Sequence, residues 1–588
     1  FILNSTMKKY TLLFLISLLW SCKPEDPTIA FKKQMAVDLG ILNEQVSKLQ
    51  QTVITKQPQD SIQNAFLQAR IAYKKIEFIT EYFMPSATRL VNGAPLNEIE
   101  LEENMINEPG GFQVIEEYVF PKIDTANHQE LIHQINKLQI ELKRYQTLQD
   151  LEYMPSQCLD AARLELFRIS SLGLSGFDTP LSQNKIAESK AALAHLPKYL
   201  DIFGEVDEDL AQAFSESIQF LETQKSENFD AMTCIKQYIQ PLTKSLVNWQ
   251  KLQEIAPMKD TRILSAEASS YFDTNAFSGD FYTHNAESYS NPAKSELGQM
   301  LFFDPVLSNG NGISCGTCHQ PDKAFTDGLK KAKGILGKQV QRNTPTLMYA
   351  GLQSKQFYDL SVSSLEEQAE KVVHNPLEMK GNLEKALSLI EKDEKYKQAI
   401  QKAFPKVNKL ETRHLRNALA SYVRSLSPFN SRFDQYMKGK GILDETEKVG
   451  FNLFMGKAKC GTCHFFPLFN GTVPPDFQKT ESEVLGVFDQ PRSKKIDKDL
   501  GRGTYNPQIA DWHFAFKTPT IRNIEKTAPY MHNGAYPDLN SVIDFYDHGG
   551  ALGLGVNLEN QTLSDEQLKL SKAEKTALIA FLKTLTDR

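Results

Sequence analysis

Two short segments of this chain carry the residue types best suited to chemistry. Cys315–His319 and Cys460–His464 share the sequence Cys-Gly-Thr-Cys-His, which is the pattern of covalent c-type haem attachment. In such a motif the two thiols add to the vinyl groups of a haem, and the adjacent histidine ligates the iron from one face. One copy could be half of a zinc site, but two identical copies that end in histidine predict two covalently bound haem c groups.

The two motifs define three predicted attachment or ligand residues for each haem. In chain order these are Cys315, Cys318, His319, Cys460, Cys463 and His464. Two further cysteines, Cys158 and Cys234, lie far from either motif. In an oxidising compartment they could form a disulfide, and two separate buried thiols are the alternative.

The N-terminal segment has the features of an export signal. A charged start at Met7 precedes an apolar run that ends at Trp20 and is too short to span a bilayer, so residues 1–22 are predicted to be a signal peptide. The run ends in Leu-Trp-Ser-Cys, which resembles a bacterial lipoprotein box with Cys22 as the lipidated residue. A simply cleaved signal is the alternative. Both predict a protein of the periplasm or cell envelope, held in the first case to the inner or outer membrane by its lipid.

Length and composition bound the remaining possibilities. A chain of 588 residues is too long for one ordinary core, so two or three domains are expected. The hydrophobic content of 41% and charged content of 23% are typical of a globular protein. The formal net charge is −6 and the lysines are scattered along the sequence, which argues against a nucleic-acid-binding function.

The elements that must position the two motifs are predicted to be mostly α-helical. Residues 30–255 have apolar residues at three- and four-residue spacing, which predicts a helical bundle. Residues 256–292 show no clear period, which predicts an extended linker. Gly298–Phe302 precedes the first motif as Gly450–Phe454 precedes the second, which indicates an internal repeat. The predicted haem domains, both cytochrome c-like, are residues 293–435 and 436–588.

Several ordered blocks of the C-terminal half resemble a known family. Besides the two motifs they are Leu301–Pro305, Arg342–Leu347, Leu365–Ala369, Asn375–Met379, Phe516–Asn523 and Thr527–Gly534. On these blocks, residues 294–586 resemble the bacterial dihaem cytochrome c peroxidase and MauG superfamily. In the helical half, Gly110–Glu116 is similar to the imelysin-type domain of exported bacterial proteins, although Gln113 stands where that motif has histidine. A packing bundle without a site of its own is the alternative there.

The resemblance implies unequal roles for the two haems. In the family the first haem is peroxidatic and the second receives electrons, so His319 would mark the peroxide site and His464 the electron-entry site. Glu378 matches the family's catalytic glutamate, and Gln368 matches a glutamine that would position peroxide. A base at the position of Glu378 would move a proton from the inner to the outer peroxide oxygen, so that the O–O bond breaks and water leaves.

The resemblance also implies specific groups between the two haems. The family places a calcium ion there, and the matching positions are Asn343 through its side chain and Thr527 and Pro529 through main-chain carbonyls. Oxygen ligands suit this hard cation, while turn chemistry is the other role open to Asn343 and Pro529. The family's usual tryptophan between the haems falls at Tyr358, next to Phe357, where a redox relay or plain aromatic packing is expected.

Two departures from the family pattern concern the iron ligands. Residues 320–341 contain no histidine, whereas many family peroxidases have one there that caps the resting peroxidatic iron. The first haem is therefore predicted to be open in the fully oxidised protein. The family peroxidases use methionine as the distal ligand of the second haem, and Tyr546 occupies that position, as in MauG-type members. A phenolate stabilises ferric iron. The alternative is that Tyr546 only packs, with Met531 or His548 near the iron.

Three functions follow from these residues. The first is a dihaem peroxidase that reduces hydrogen peroxide to water with electrons from a small periplasmic donor, such as a cytochrome c or copper protein. The second is a MauG-like oxidase that uses peroxide to modify a partner protein, which Tyr546 favours. The third is a non-enzymatic electron-transfer lipoprotein. Glu378 and Gln368 argue against the third, because a passive carrier needs neither an acid–base group nor an open iron position. Assembly as a homodimer stays open in each case.

Overall fold

The computed structural model describes residues 26–100, 105–259, 262–283 and 285–588. The predicted signal peptide and the lipidation residue Cys22 lie outside these described residues. Within the described parts of the chain, no helix combines the length and the apolar character needed to cross a membrane.

The first half of the chain is a bundle of α-helices, as its apolar spacing predicts. The helices are Pro27–Ile54, Gln59–Lys74, Glu77–Phe83, Pro85–Asn92, Phe112–Val119, His128–Arg144, Pro155–Arg168, Lys185–Leu200, Glu208–Thr223, Ala231–Thr233 and Gln240–Leu252. Strands Glu98–Glu100 and Met105–Asn107 form a small antiparallel pair beside them. Cys158 and Cys234 are both buried as free thiols, so the structure corresponds to the second of the two alternatives for this pair.

The segment predicted to be a linker packs into the protein core instead of crossing solvent. Ile263, Leu264, Tyr271 and Phe272 are buried, and the ring of Tyr271 lies 5.6 Å from that of Phe466 in the second haem domain. The segment has no regular period because its aromatic side chains fill an irregular space between the helical bundle and the haem domains. This packing role is not evident from the Ser- and Asp-rich composition of the segment.

The second half of the chain is helix and long loop, with very little strand. Its helices are Pro292–Phe303, Cys315–Cys318, Leu365–His374, Leu383–Ile390, Glu394–Ala403, Thr412–Arg424, Arg432–Met437, Glu445–Phe454, Leu539–Asp547, Gly550–Gly553 and Lys572–Thr584. Strands Ser482–Val484 and Ala515–Lys517 form one antiparallel pair. The prediction of a mostly α-helical fold is therefore confirmed.

Each haem domain is built on two crossed helices that meet at a glycine. In the first domain a β-carbon on Gly298 would lie 1.9 Å from the carbonyl oxygen of Ala418. In the second domain a β-carbon on Gly450 would lie 2.0 Å from the carbonyl oxygen of Ala577. Only a residue without a β-carbon permits either approach. The internal repeat indicated by the sequence is therefore visible as a repeated helix crossing.

The helical bundle packs against the second haem domain. Asn452 donates a side-chain hydrogen bond of 2.9 Å to Asp230 of the bundle, and the rings of Phe177 and Phe465 meet at 5.7 Å. Phe465 directly follows the second haem motif. One side of the second haem domain is therefore covered by the bundle, and this limits where a partner can approach it.

Candidate haem and peroxide site

The predicted site residues of both haem domains border one continuous cavity of about 3100 Å³. All six attachment and proximal residues of the two motifs lie on its wall. So do the other predicted site residues, which are Gln368, Glu378, Phe357, Tyr358, Asn343, Thr527, Pro529 and Tyr546. Residues more than 200 positions apart in the sequence are thus brought to the same internal space.

The first motif holds its histidine ready to ligate iron. Cys315–Cys318 forms a short helical turn, and the ring of His319 donates from Nδ1 to the carbonyl oxygen of Phe325 at 2.8 Å. This bond leaves Nε2 as the free, basic nitrogen and fixes the ring orientation. Burial lowers the pKa of His319, so its imidazole is neutral, as an iron ligand must be.

The second motif repeats this arrangement. Cys460–Thr462 is a short helical turn, and His464 donates from Nδ1 to the carbonyl oxygen of Pro519 at 3.0 Å. Burial lowers the pKa of His464 to about 4. Paired thiols on one turn, a neutral imidazole with a bound Nδ1 and a cavity beyond it are the features that a covalently attached haem requires. Both motifs fit that group.

A second sequence repeat lies behind the two histidines and was missed in the sequence analysis. Residues 344–346 and 518–520 both read Thr-Pro-Thr. The main chain of Pro345 faces His319, and that of Pro519 accepts the bond from His464. The repeated Thr-Pro-Thr sequence is the signal that marks both loops, each of which faces the histidine of its own domain.

Glu378 lies in a turn that follows the helix Leu365–His374, where it faces the first haem motif. Asn375 donates from its side-chain amide to the Glu378 carboxylate at 2.8 Å, and the carboxylate acts electrostatically on Cys318. Burial raises the pKa of Glu378 to about 7, although the Asn375 hydrogen bond opposes the rise. Asn375 lies within the recognised Asn-Pro-Leu-Glu-Met block, but its contact with Glu378 was not predicted. Gln368 projects from the preceding helix into the same cavity.

The loop that lacks a capping histidine packs directly on the Glu378 turn. Lys333 and Gln339 are bridged as in a hairpin, and the amide of Ile335 donates to the Glu378 carbonyl at 3.0 Å. A β-carbon on Gly334 would lie 1.9 Å from the carbonyl oxygen of Leu377, so the loop backbone is pressed against the turn. The loop therefore supports the Glu378 backbone and supplies no imidazole to the first haem.

Tyr358 lies where the two haem domains meet. Its carbonyl accepts from the amide of Lys517 at 2.7 Å, and its hydroxyl donates to the side-chain oxygen of Asn343 at 3.4 Å. The amide of Asn343 in turn donates to the carbonyl of His532 at 2.8 Å. Burial raises the pKa of Tyr358, so the phenol is protonated. Phe357 borders the same cavity.

An arginine clamp next to Tyr358 was not foreseen from the sequence. Arg342 of the first haem domain forms two hydrogen bonds with Asp499 of the second, at 2.7 and 2.9 Å, and also pairs with Asp359. Its guanidinium lies over the ring of Phe516, which stacks on His532 at 3.7 Å. A bidentate arginine of this kind fixes both distance and orientation. The clamp therefore sets the relative position of the two haem domains.

The predicted calcium ligands are grouped but contain little charge. Asn343, Thr527 and Pro529 border the cavity between the two haem domains. The side-chain oxygen of Asn343 receives one long hydrogen bond, from Tyr358, so it is available to a cation. Across the described residues there is no group of three or more His, Cys, Asp and Glu side chains that could hold a metal ion. A site made of amide and main-chain oxygens does not need such a group, and calcium stays a prediction.

Tyr546 is the side chain placed next to the second haem motif. It lies on the helix Leu539–Asp547 and is directed into the cavity. Burial raises its pKa, and the proximity of Cys463 and Cys460 raises it further. His548 is exposed and donates to the carbonyl of Asp544 at 2.7 Å, away from the cavity wall. Met531 does border the cavity, so it stays the competing ligand.

The imelysin-like stretch forms internal packing contacts in the helical bundle. Gln113 is buried and donates to the carbonyl of Asn92 at 3.0 Å. Glu116 is also buried and accepts from the amide of Ser182 at 2.9 Å. These contacts are those of a packed bundle. The resemblance to an imelysin-type domain stays a prediction.

Comparison with known proteins covers the haem half of the chain. Residues 292–441 match the family model described as di-haem cytochrome c peroxidase. The chain is 32% identical over 296 residues to the methylamine utilization protein MauG of Methylorubrum extorquens, a match that covers 50% of this chain and 78% of that protein. It is 32% identical over 299 residues to the cytochrome c551 peroxidase of Nitrosomonas europaea, with coverage of 50% and 80%. A solved MauG-like protein associated with microbial copper homeostasis is 26% identical, with a TM-score of 0.45 and coverage of 52% and 92%.

Proposed function

The chain belongs to the family of di-haem cytochrome c peroxidases and MauG proteins, and from that premise we propose that it reduces hydrogen peroxide to water at its first haem, with electrons that enter through its second. The observation that carries this proposal is the inequality of the two distal sides. An acid–base residue, Glu378, faces the first haem motif. A phenol, Tyr546, faces the second.

The first site has the groups needed for peroxide cleavage. Cys315, Cys318 and His319 would hold a haem here, and its iron would supply the electrons for cleavage of the O–O bond. Glu378 then accepts the proton of the inner oxygen and returns it to the outer oxygen, which leaves as water. A carboxyl with a pKa of about 7 can perform both steps near neutral pH. Asn375 orients the carboxylate, and Gln368 is placed to hold the peroxide.

Two electrons and two protons complete each turnover, so that one hydrogen peroxide gives two water molecules. We propose that the electrons pass from the second haem domain through the region of Tyr358, which contacts residues of both domains, and that the protons come from solvent. A calcium ion held by Asn343, Thr527 and Pro529 would stiffen this region and lower the cost of moving charge through it. Arg342 keeps the two domains at a fixed separation.

A MauG-like oxidase is the second candidate, and Tyr546 is the observation that favours it. A phenolate ligand would stabilise the ferric state of the second haem and lower its reduction potential. Such a haem is harder to reduce by a high-potential carrier and easier to oxidise. Peroxide-driven modification of a partner protein would then compete with ordinary peroxidase turnover. The non-enzymatic alternative is disfavoured, because Glu378 and its supporting contacts have no use in a passive carrier.

The protein is proposed to act outside the cytoplasm and to receive electrons from a small partner protein. The charged and apolar residues before Cys22 support export to the periplasm or cell envelope, and the box that ends at Cys22 supports a lipid anchor. A small cytochrome c or copper protein is the proposed electron donor. Assembly as a homodimer stays open and is tested by mass measurement in solution.

Rapid mixing of the fully oxidised protein with peroxide tests the function. We expect the Soret band to change within milliseconds without prior reduction, because residues 320–341 contain no histidine that could cap the first haem. Adding a reduced small cytochrome c should then give steady oxidation of two donors per peroxide. Absence of any reaction, even after addition of one electron per protein, would instead indicate the non-enzymatic carrier. Rapid reaction with peroxide but no donor turnover would favour the MauG-like oxidase.

A further inference from the structure

The fold brings two short basic segments of the sequence onto one surface near the first haem motif. Residues 329–341 contain four lysines and no acidic residue. This segment includes the hairpin that packs on the Glu378 turn. Three of the four lysines, Lys330, Lys333 and Lys338, are exposed, and so is Lys380 beyond the turn. In a chain of net charge −6, this is a local concentration of the opposite sign.

The surface continues onto the second haem domain. The amine of Lys330, three residues before the first hairpin, donates to the carbonyl of Asp489 at 3.4 Å, and Asp489 belongs to a second hairpin formed by residues 488–496. This second hairpin and the two residues after it carry exposed basic side chains, which are Arg492, Lys494, Lys495 and Lys498. Its acidic residues are already engaged, since Asp489 pairs with Lys495 at 3.5 Å and Asp497 bonds His532 at 3.4 Å. The surface therefore spans both haem domains.

Two apolar side chains lie within this basic surface. Leu336 is 88% exposed at the tip of the first hairpin, and Leu377, next to Glu378, is 45% exposed. The backbone contact between Gly334 and Leu377 keeps them close together. Exposed leucines surrounded by lysines are a poor arrangement for a surface that faces only water. They are suited to a short-lived protein complex, in which an apolar centre excludes water and a charged rim steers the encounter.

We propose that this basic surface, consisting of the hairpins 333–339 and 488–496 with Lys330, Leu377, Lys380 and Lys498, is the docking site for an acidic protein partner. The proposal rests on the proposed function and names its partner more closely, as a small acidic electron-donor protein. Charge complementarity selects such a partner over a basic cytochrome c, and the helical bundle already covers another side of the second haem domain. A partner bound here would contact Leu377, the residue next to Glu378. It would also cover the boundary between the two haem domains.

Binding and turnover should be measured separately with a reduced or oxidised acidic monohaem cytochrome c. With the oxidised cytochrome we expect association by calorimetry at about 10 mM salt and at least tenfold weaker association at about 300 mM salt. The variant Lys333→Glu/Lys338→Glu should weaken it about tenfold at low salt. The control Lys143→Glu/Lys225→Glu makes the same charge change on exposed positions of the helical bundle and should alter it less than twofold.

Turnover gives the second readout. With the reduced acidic cytochrome, Lys333→Glu/Lys338→Glu should raise KM about tenfold with little change in kcat, and Leu336→Ser should raise KM a few-fold even at high salt. With a basic cytochrome c as donor, the lysine variant should lower KM. The lysine variant would therefore prefer a basic donor, whereas the wild-type protein would prefer an acidic one.

The outcomes separate the docking surface from the peroxidase reaction. Association that weakens in the lysine variant supports the surface, even if the wild-type protein fails to oxidise a small-molecule reductant with peroxide and the proposed function falls. Absence of salt-sensitive association, or equal effects of the lysine variant and its control, overturns the docking surface even if peroxide reduction proceeds. Loss of binding to phosphatidylglycerol vesicles in the lysine variant, without any cytochrome association, would also overturn it in favour of a lipid surface.

Discussion

The two haem domains share a scaffold on their proximal sides and differ on their distal sides. In both domains a crossed helix pair meets at a glycine, and a main-chain carbonyl accepts from Nδ1 of the motif histidine, that of Phe325 for His319 and that of Pro519 for His464. Across the cavity from its motif, the first domain has a half-buried carboxyl, Glu378, and the second has a half-buried phenol, Tyr546. The two domains therefore share the arrangement that would hold a haem, and we propose that the different residues across the cavity give the two haems different roles.

Replacement of Glu378 is the largest expected disruption of this difference. Glu378→Gln removes the proton acceptor but keeps the size of the side chain and its contact with Asn375. General base catalysis is worth about 10²- to 10⁴-fold, so we expect the second-order rate constant with peroxide to fall by about 10³-fold. Stopped-flow absorbance at the Soret band measures it. The control Glu384→Gln removes an exposed carboxyl from the neighbouring helix and should leave the rate within twofold.

A rate in Glu378→Gln within tenfold of wild type would contradict the assignment of Glu378 as the proton acceptor. The ferric spectrum of the second haem gives an internal check, because the substitution lies in the other domain and should leave that spectrum unchanged. A change in both haems would indicate a structural effect.

The shared scaffold is tested by matched glycine substitutions. Gly298→Ala and Gly450→Ala each force a β-carbon into a carbonyl oxygen of the crossing helix, at the same point of the repeat. Overpacking of this kind costs about 2–3 kcal/mol, so each variant should lose a similar free energy of unfolding in a denaturant titration of the holoprotein. Gly40→Ala, where a β-carbon meets no atom within 4 Å, is the control and should stabilise the protein slightly.

Unequal losses in the free energy of unfolding at the two helix crossings would show that the two domains share a sequence repeat but do not pack in the same way. If Gly298→Ala were neutral while Gly450→Ala destabilised strongly, the first crossing would have room to relax, and the equivalence of the two domains would fail there.

The smallest predicted effect concerns the acidity of Glu378. Glu378 must be ionised to accept a proton, so the peroxide rate should rise with pH through a midpoint near its pKa of about 7. Asn375 donates to the carboxylate and so favours the ionised form. Asn375→Ala should therefore move the midpoint upward by up to about one pH unit. The pH profile of the stopped-flow rate measures this shift, and Glu378→Gln should flatten the profile altogether.

A downward shift in Asn375→Ala would contradict the role of Asn375 as a donor to the carboxylate. A profile that keeps its midpoint in Glu378→Gln would assign the titration to another group.

Local sequence patterns predicted much of the fold and half of the site. The apolar spacing of the first half predicted its helices, because each helix buries one face. The Cys-Gly-Thr-Cys-His motifs and the glycines before them carried enough local information to predict two haem domains. Glu378 and Tyr546 were located through the family resemblance, and the structure places both across the cavity from the haem motifs.

The contacts that depend on long-range folding were not predictable in this way. Arg342 and Asp499 are 157 positions apart, and neither sequence segment indicates that it needs the other. The segment around Tyr271 was predicted to be a linker because it shows no clear period, although its few aromatic residues determine its packing. The basic surface was not predicted either, because its lysines come from two segments that meet only in the folded chain.

The spin state of the resting, fully oxidised holoprotein tests the inequality of the two haems most directly. Electron paramagnetic resonance should show one high-spin ferric haem, which is the open first site, and one low-spin ferric haem ligated by His464 and Tyr546. Tyr546→Phe should abolish only the low-spin signal, while Tyr536→Phe, the same change at a buried neighbouring phenol, should leave both. Two low-spin haems at rest, or a low-spin signal that survives Tyr546→Phe, would contradict this account.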